Sequence, residues 1–138
     1  MNKSEILAFL NANTTCYMAT LEGDKPRVRA MGMVSAGEDG IIIQTGTYKD
    51  IYKQLSANPN VELCFFNAKD GIQVRVSGAV EPVEDLKVKE AIVAQRTFLK
   101  PIVEKEGYDP IAVYRLSKGM AYVWSFATNL EPKTYVQL

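Results

Sequence analysis

The chain has 138 residues, 47% of them hydrophobic, which is the size of one ordinary domain and enough apolar material for a core without staples. Sixteen Lys and Arg balance 16 Asp and Glu, so no strong overall field is present to hold nucleic acid or an anionic lipid surface. Histidine is absent, which removes the usual general base, the Ser-His and Cys-His pairs and the commonest metal ligand, and points to a cofactor with its own reactive atoms.

The two cysteines, Cys16 and Cys64, lack the paired spacing of a zinc site or a dithiol centre and are expected to be reduced, buried small hydrophobes. The first residues do not lead into an apolar run of signal-peptide length, and no stretch reaches the roughly 20 residues needed to span a membrane. The expectation is a one-domain soluble protein of the cytoplasm.

Ile6, Leu7, Phe9 and Leu10 recur at helical spacing, and Asn2 followed by Glu5 three residues later resembles a capping box. That predicts a short helix ending near Asn11-Ala12-Asn13. Residues 16–21 read as a strand, Glu22-Gly23-Asp24-Lys25 as a turn, and residues 27–34 as the return strand, with Arg27, Arg29, Met31 and Met33 sharing one face. After a turn at 36–40, the unbroken apolar run 41–45 predicts a strand covered on both sides. From Thr47 the period becomes helical, with Tyr48, Ile51, Tyr52 and Leu55 as a stripe until Asn58-Pro59 breaks it, predicting a helix of about three turns.

Residues 61–67 and 72–82 follow as strands of a second hairpin, with Gly78 a bulge or a point of close approach. Asp85 caps a helix through Val88, Ala91, Ile92 and Gln95 that gives out near Lys100-Pro101, and a looser segment runs to Pro110. Two more strands, 111–116 and 120–126, joined by Ser117-Lys118-Gly119, make a last hairpin before an irregular tail. About seven short strands in consecutive hairpins, with no G-x-G-x-x-G turn, favour a single-domain antiparallel barrel over a doubly wound dinucleotide fold.

Four features could carry binding chemistry. Gln44-Thr45-Gly46-Thr47-Tyr48-Lys49 takes a core strand through a glycine turn into a helix N-terminus, where free amides, the hydroxyls of Thr45 and Thr47, and Lys49 with Lys53 one turn on could hold a phosphate. The same pattern also reads as Thr47 acting only as an N-cap, with Lys49 and Lys53 on a solvated helix face. Arg27 and Arg29 either reach a buried phosphate or form a surface pair beside Lys25. Gln73, Arg75 and Ser77 make one strand face polar, suited to an edge of a heteroaromatic ring or to water. Trp124, with Tyr122 and Phe126 on its side, borders a flat ligand or fills the core.

In this order the pieces resemble the pyridoxamine 5'-phosphate oxidase-like family of FMN-binding split β-barrels, over nearly the whole chain. The likeness runs through Cys16-Tyr17-Met18-Ala19-Thr20, Lys25-Pro26-Arg27-Val28-Arg29, Gln44-Thr45-Gly46-Thr47, Leu55-Ser56-Ala57-Asn58-Pro59-Asn60-Val61, Gln73-Val74-Arg75-Val76-Ser77-Gly78 and Val123-Trp124. The resemblance implies a homodimer with FMN between subunits, the phosphate on Arg29 and the turn from Thr45 to Lys49, Gln73 facing the ring, and Trp124 bordering it from the opposite subunit. Met31, Gln44 and Lys53 complete the expected cofactor-binding set.

The chain also departs from that pattern. Ser125-Phe126-Ala127-Thr128-Asn129-Leu130-Glu131-Pro132 holds neither Arg nor His where the oxidases carry an R-x-H element for the substrate phosphate, Val34 stands where they tend to have lysine, and Tyr48-Lys49-Asp50 replaces a serine, arginine and lysine cluster. The expectation is therefore a flavin oxidoreductase other than a pyridoxamine phosphate oxidase, with NAD(P)H as a possible donor. The alternative is a module that binds FMN, a deazaflavin or haem without turnover; a haem site would need Cys, Tyr or Met as axial ligand.

Overall fold

The computed structural model describes residues 1–138. The capping box forms: the Glu5 amide donates to Asn2 Oδ1 at 2.9 Å and the Asn2 amide to Glu5 Oε2 at 2.8 Å. It starts helix α1 (Lys3–Ala12), which buries Ile6, Leu7 and Leu10. Strands β1 (Thr15–Glu22) and β2 (Lys25–Gly32) then make the first hairpin, turning at Gly23 with φ of 63°. A short strand β3 (Ser35–Gly37) pairs with β4 (Gly40–Gly46), whose residues are buried on both sides as its apolar run requires.

Helix α2 (Asp50–Ala57) is followed by the hairpin β5 (Asn60–Asn67) and β6 (Ile72–Ala79) and by a two-residue strand β7 (Glu81–Pro82). Gly78 is a point of close approach, since a Cβ there would stand 3.0 Å from Leu116 Cδ1. Helix α3 (Leu86–Gln95) is capped by Asp85, whose side chain accepts the Lys87 amide at 2.9 Å. A single 3-10 turn leads into α4 (Lys100–Glu106), then come β8 (Ile111–Leu116), β9 (Met120–Ser125) and β10 (Tyr135–Gln137).

All pairings are antiparallel, in two sheets: one of six strands ordered β10-β9-β6-β5-β1-β2, the other of four ordered β3-β4-β8-β7. This is the split barrel expected from the sequence. The main core of 22 residues fills the space between the sheets, under α1 and α2; a second of six lies between the four-stranded sheet and α3 with the following turn.

Several expectations need correction. The strands 111–116 and 120–126 do not pair as a hairpin: β8 lies in one sheet and β9 in the other, so the Ser117-Lys118-Gly119 link is a crossing between sheets. The segment around Lys100-Pro101 is helical, because Pro101 occupies the first turn of α4, where a missing N–H costs nothing. The tail supplies β10, which pairs with β9. Helix α2 is shorter than expected and begins at Asp50, with Lys49 as its N-cap and no side-chain capping bond, so Thr47 is not the cap.

The six-stranded sheet has two unlike faces. Inward-pointing Cys16, Met18, Leu63, Phe65, Val74 and Val76 are fully buried. Directly opposed residues of antiparallel strands share a face, so the outer face carries a row Ala30, Tyr17, Cys64, Arg75, Tyr122, Tyr135 and, next to it, Phe66, Gln73, Trp124. No layer covers this face: Val28, Tyr17, Tyr135 and Phe66 are 69%, 51%, 55% and 46% exposed.

Candidate functional site

Strand β2 is the sheet edge, and its inward side looks across a gap at the end of β4. Arg29 opposes the fully buried Met18, and Met31 opposes Cys16, which places both side chains on the inner face. A cleft of 410 Å³ opens here, lined by Arg29, Met31, Gln44, Thr45, Lys49 and, from the turn after α3, Arg96, with Tyr48 and Phe98 at its rim.

The guanidinium of Arg29 is held in a fixed orientation. Its Nη1 donates to Thr20 Oγ1 at 2.7 Å and to the Met18 carbonyl at 3.2 Å, and its Nη2 donates to Gln54 Oε1 at 2.6 Å. Gln54, buried on α2, in turn donates from Nε2 to Glu22 Oε2 at 3.1 Å. Arg96 is braced from the other side, with Nη2 donating to the Gly32 carbonyl at 2.7 Å and Nη1 to Gln44 Oε1 at 3.4 Å. Burial pulls both guanidinium pKa values down, an effect the Asp50 carboxylate opposes at Arg29; a guanidinium stays charged throughout the physiological range. The five ion pairs of the molecule lie elsewhere, so Arg29, Lys49 and Arg96 have no carboxylate oxygen within 4.0 Å. Two part-buried guanidinium groups and the exposed ammonium of Lys49 thus line one cleft, with Asp50 acting on Arg29 only from beyond ion-pair distance, an arrangement chemically able to take an anion.

Two of the turn's amides are already used, and those of Tyr48 and Ile51 stay without a backbone partner. The Thr47 amide donates to the Pro110 carbonyl at 3.0 Å and the Lys49 amide to the Gly46 carbonyl at 3.1 Å. Tyr48 lies over Gly46, where an added Cβ would stand 2.5 Å from its exposed ring and displace it.

Of the residues singled out from the sequence, Arg29, Met31, Gln44, Thr45 and Lys49 come together here. Thr47 does not: it lines a separate cleft on the other flank of α2. Lys53 is exposed on α2 and lines neither cleft. Gln73 and Trp124 are direct neighbours, but on the outer face of the sheet. Strand β6 is three strands from β2, about 14 Å at the usual spacing, and the sheet itself stands between the two groups. Trp124 is fixed by its Nε1, which donates to Asn129 Oδ1 at 2.8 Å. Arg96 was missed because it sits in no motif; its one signal is a cation at the end of a helix, where the dipole favours positive charge.

The family model described as pyridoxamine 5'-phosphate oxidase matches residues 3–115. The chain belongs to the pyridoxamine 5'-phosphate oxidase family. It is similar to a NimC/NimA family protein of Clostridium acetobutylicum, at 32% identity over 98% of this chain and 92% of that one, with a TM-score of 0.80. Two further structures share the family fold: a protein of the same organism related to general stress protein 26, at 14% identity, 98% and 93% coverage and TM-score 0.75, and an FAD-binding protein of Mesorhizobium loti, at 17%, 85% and 89% and 0.63. No curated protein matches the chain significantly. No helix is long and apolar enough to cross a membrane.

Proposed function

We propose that the protein is a homodimeric flavin oxidoreductase that holds FMN in two clefts between its subunits. The observation that carries this reading is the division of the candidate residues over two faces of one sheet. Arg29, Lys49 and Arg96 line the inner cleft, whereas Gln73 and Trp124 point outward. One chain cannot place both groups on one small ligand; two copies can, if the outer face of one meets the edge strand of the other.

The cleft fits such a group. Its volume of 410 Å³ lies in the range of about 300–1,000 Å³ usual for small-molecule sites, and its cations lack carboxylate partners, as a phosphate requires. Arg29 would give the phosphate a planar fork oriented by Thr20 and Gln54; Lys49 adds a point charge, and Arg96, steadied by Gln44 and the Gly32 carbonyl, closes the other side. Gln73 of the partner subunit would meet an edge of the ring with its amide, and Trp124 of the partner subunit would cover a face. A flavin held by Arg29, Lys49 and Arg96 would supply the hydride-accepting atom itself, leaving no step that requires a histidine. The FAD-binding protein that shares the fold makes a flavin a chemically reasonable occupant. The lack of Arg and His in residues 125–132 argues against a phosphorylated pyridoxamine as substrate.

The test is an absorbance spectrum of the purified protein, FMN titration of wild type and Arg29→Ala, and anaerobic addition of NADH and NADPH. The reading expects a flavin spectrum, stoichiometric FMN, loss of affinity in Arg29→Ala and bleaching by a nicotinamide. Equal FMN binding by both proteins would refute the site; a flavin that stays oxidised under both nicotinamides would refute this donor.

A further inference from the structure

One neutral side chain, that of Gln54, stands between the Arg29 guanidinium and the Glu22 carboxylate. Glu22 accepts from Arg27 Nη2 on Oε1 at 3.2 Å and from Gln54 Nε2 on Oε2 at 3.1 Å. These bonds, that of Arg27 first, hold the Glu22 carboxyl below its usual range, so it is ionised at neutral pH. The other end of the buried Gln54 amide, Oε1, accepts from Arg29 Nη2 and from Thr20 Oγ1, each at 2.6 Å. Only this orientation of the amide satisfies its neighbours: reversed, its oxygen would meet a carboxylate and its NH₂ a guanidinium.

The same contacts decide which donors of Arg29 remain free. Thr20 Oγ1 accepts from Nη1 at 2.7 Å, so two nitrogens and two oxygens close a ring of short contacts, with both oxygens against the end of the guanidinium. The outer Nη1 hydrogen goes to the Met18 carbonyl at 3.2 Å. Of the five N–H donors of an arginine, those left are Nε–H and the second hydrogen of Nη2, which share one edge of the group. Nε makes no hydrogen bond and is not closed off from solvent. Two parallel donors on one edge form the fork that takes two oxygens of one oxyanion.

We propose that Gln54 is a positioning residue that sets the preference of the Arg29 cleft for a phosphorylated over an unphosphorylated ligand, by fixing which edge of Arg29 is free and by keeping the Glu22 charge off it. This role rests on the reading that the cleft holds a flavin phosphate. A carboxylate in place of the Gln54 amide would keep the shape of the side chain, pair directly with Arg29 and repel the phosphate.

The experiment compares FMN with riboflavin, which lacks the phosphate, by fluorescence titration of wild type, Gln54→Glu and the double variant Glu22→Gln/Gln54→Glu. The double variant holds the same two groups and the same net charge in exchanged places, so the hydrogen bond between them can re-form with the carboxylate now beside Arg29. Wild type should prefer FMN, and both variants should lose FMN affinity about ten-fold or more while riboflavin changes by less than about two-fold. A Gln54 that served the fold alone would leave FMN unchanged in the double variant or weaken both ligands together, and either result overturns the proposal, as does a wild type that binds the two flavins equally. If neither carboxylate variant folds by circular dichroism, Thr20→Val decides, since it removes the Nη1 acceptor without changing a charge: FMN should weaken about five-fold with riboflavin constant, and unchanged FMN affinity overturns the proposal. If the wild type binds neither flavin, inorganic phosphate replaces them, followed at the Arg29 Nε–H magnetic resonance signal, which is assigned by its loss in Arg29→Lys. A shift in wild type that the double variant lacks would refute the flavin and uphold the role of Gln54; equal shifts, or none, overturn that role too.

Discussion

The two faces of the six-stranded sheet are built from the same strands and have opposite fates. The inner face ends in fully buried Met18, Leu63, Phe65 and Val76, while the outer face leaves Tyr17, Val28, Phe66 and Tyr135 in solvent. An antiparallel sheet with one wet side ordinarily alternates apolar and polar residues, but here the wet side is aromatic. Its centre is already ordered: the Arg75 guanidinium lies 5.1 Å and the Lys133 ammonium 5.4 Å from the Tyr122 ring centroid, and Tyr135 packs on that ring at 5.7 Å. A contiguous apolar patch with ordered charges around it is the mark of an interaction surface. The contrast teaches that this sheet is finished on one side by its own chain and left open on the other, the side on which the proposed dimer would set a second copy.

The largest expected effect comes from the inner face. Arg29→Ala removes a charge-assisted fork, so FMN affinity should fall about 100-fold in a fluorescence titration, with the fold retained by circular dichroism. Next is the outer face: Tyr17→Glu puts a charge into the aromatic row and should shift sedimentation to monomer and weaken FMN about ten-fold or more, whereas Leu86→Glu on α3, equally exposed but off the sheet, should do neither. Gln73→Ala should cost FMN about ten-fold.

The cysteines sharpen the contrast. Burial pushes the inward Cys16 thiol from 9.0 up to about 11 and also raises Cys64, which faces outward beside Tyr17. A thiol reagent at neutral pH should leave native Cys16 untouched and modify Cys64 faster in Tyr17→Glu than in the dimer. A raised thiol pKa favours the neutral form in the folded state, so the Cys16 contribution to stability is full below pH 9.0 and lost as pH rises through 11. Chemical denaturation between those values should show a fall that Cys16→Ala lessens. The smallest effect is Thr47→Ala, which should leave FMN affinity unchanged because its side chain faces the other cleft.

Much of this was legible in the sequence, and the failures have physical causes. Local signals were reliable where they were self-contained: the Asn2 and Glu5 box, the Gly23 turn, the doubly covered run 41–45 and the Asp85 cap all form. The crossing of β8 to β9 was misread because Ser117-Lys118-Gly119 has the composition of a tight turn, and only pairing partners far along the chain decide which sheet each strand joins. Strand alternation marked Arg29 and the glycine turn marked Thr45 and Lys49, but only the family resemblance joined them, with Met31 and Gln44, into one set, and these five residues line one cleft. Thr47 was misplaced by three residues of helix start, and Arg96 was invisible because it arrives from a turn that only the tertiary fold brings to β2.

The most direct measurement of the central claim is complementation in mixed dimers. Arg29→Ala and a Gln73→Ala/Trp124→Ala double variant are purified apart, each poor in FMN binding, then co-expressed with two affinity tags so that only the heterodimer is recovered. If each site takes its phosphate cations from one chain and its ring contacts from the other, the heterodimer has one intact site and binds FMN with wild-type affinity at half the wild-type stoichiometry. A heterodimer that binds no better than its two parents, or a wild-type monomer that binds FMN fully, would contradict the account.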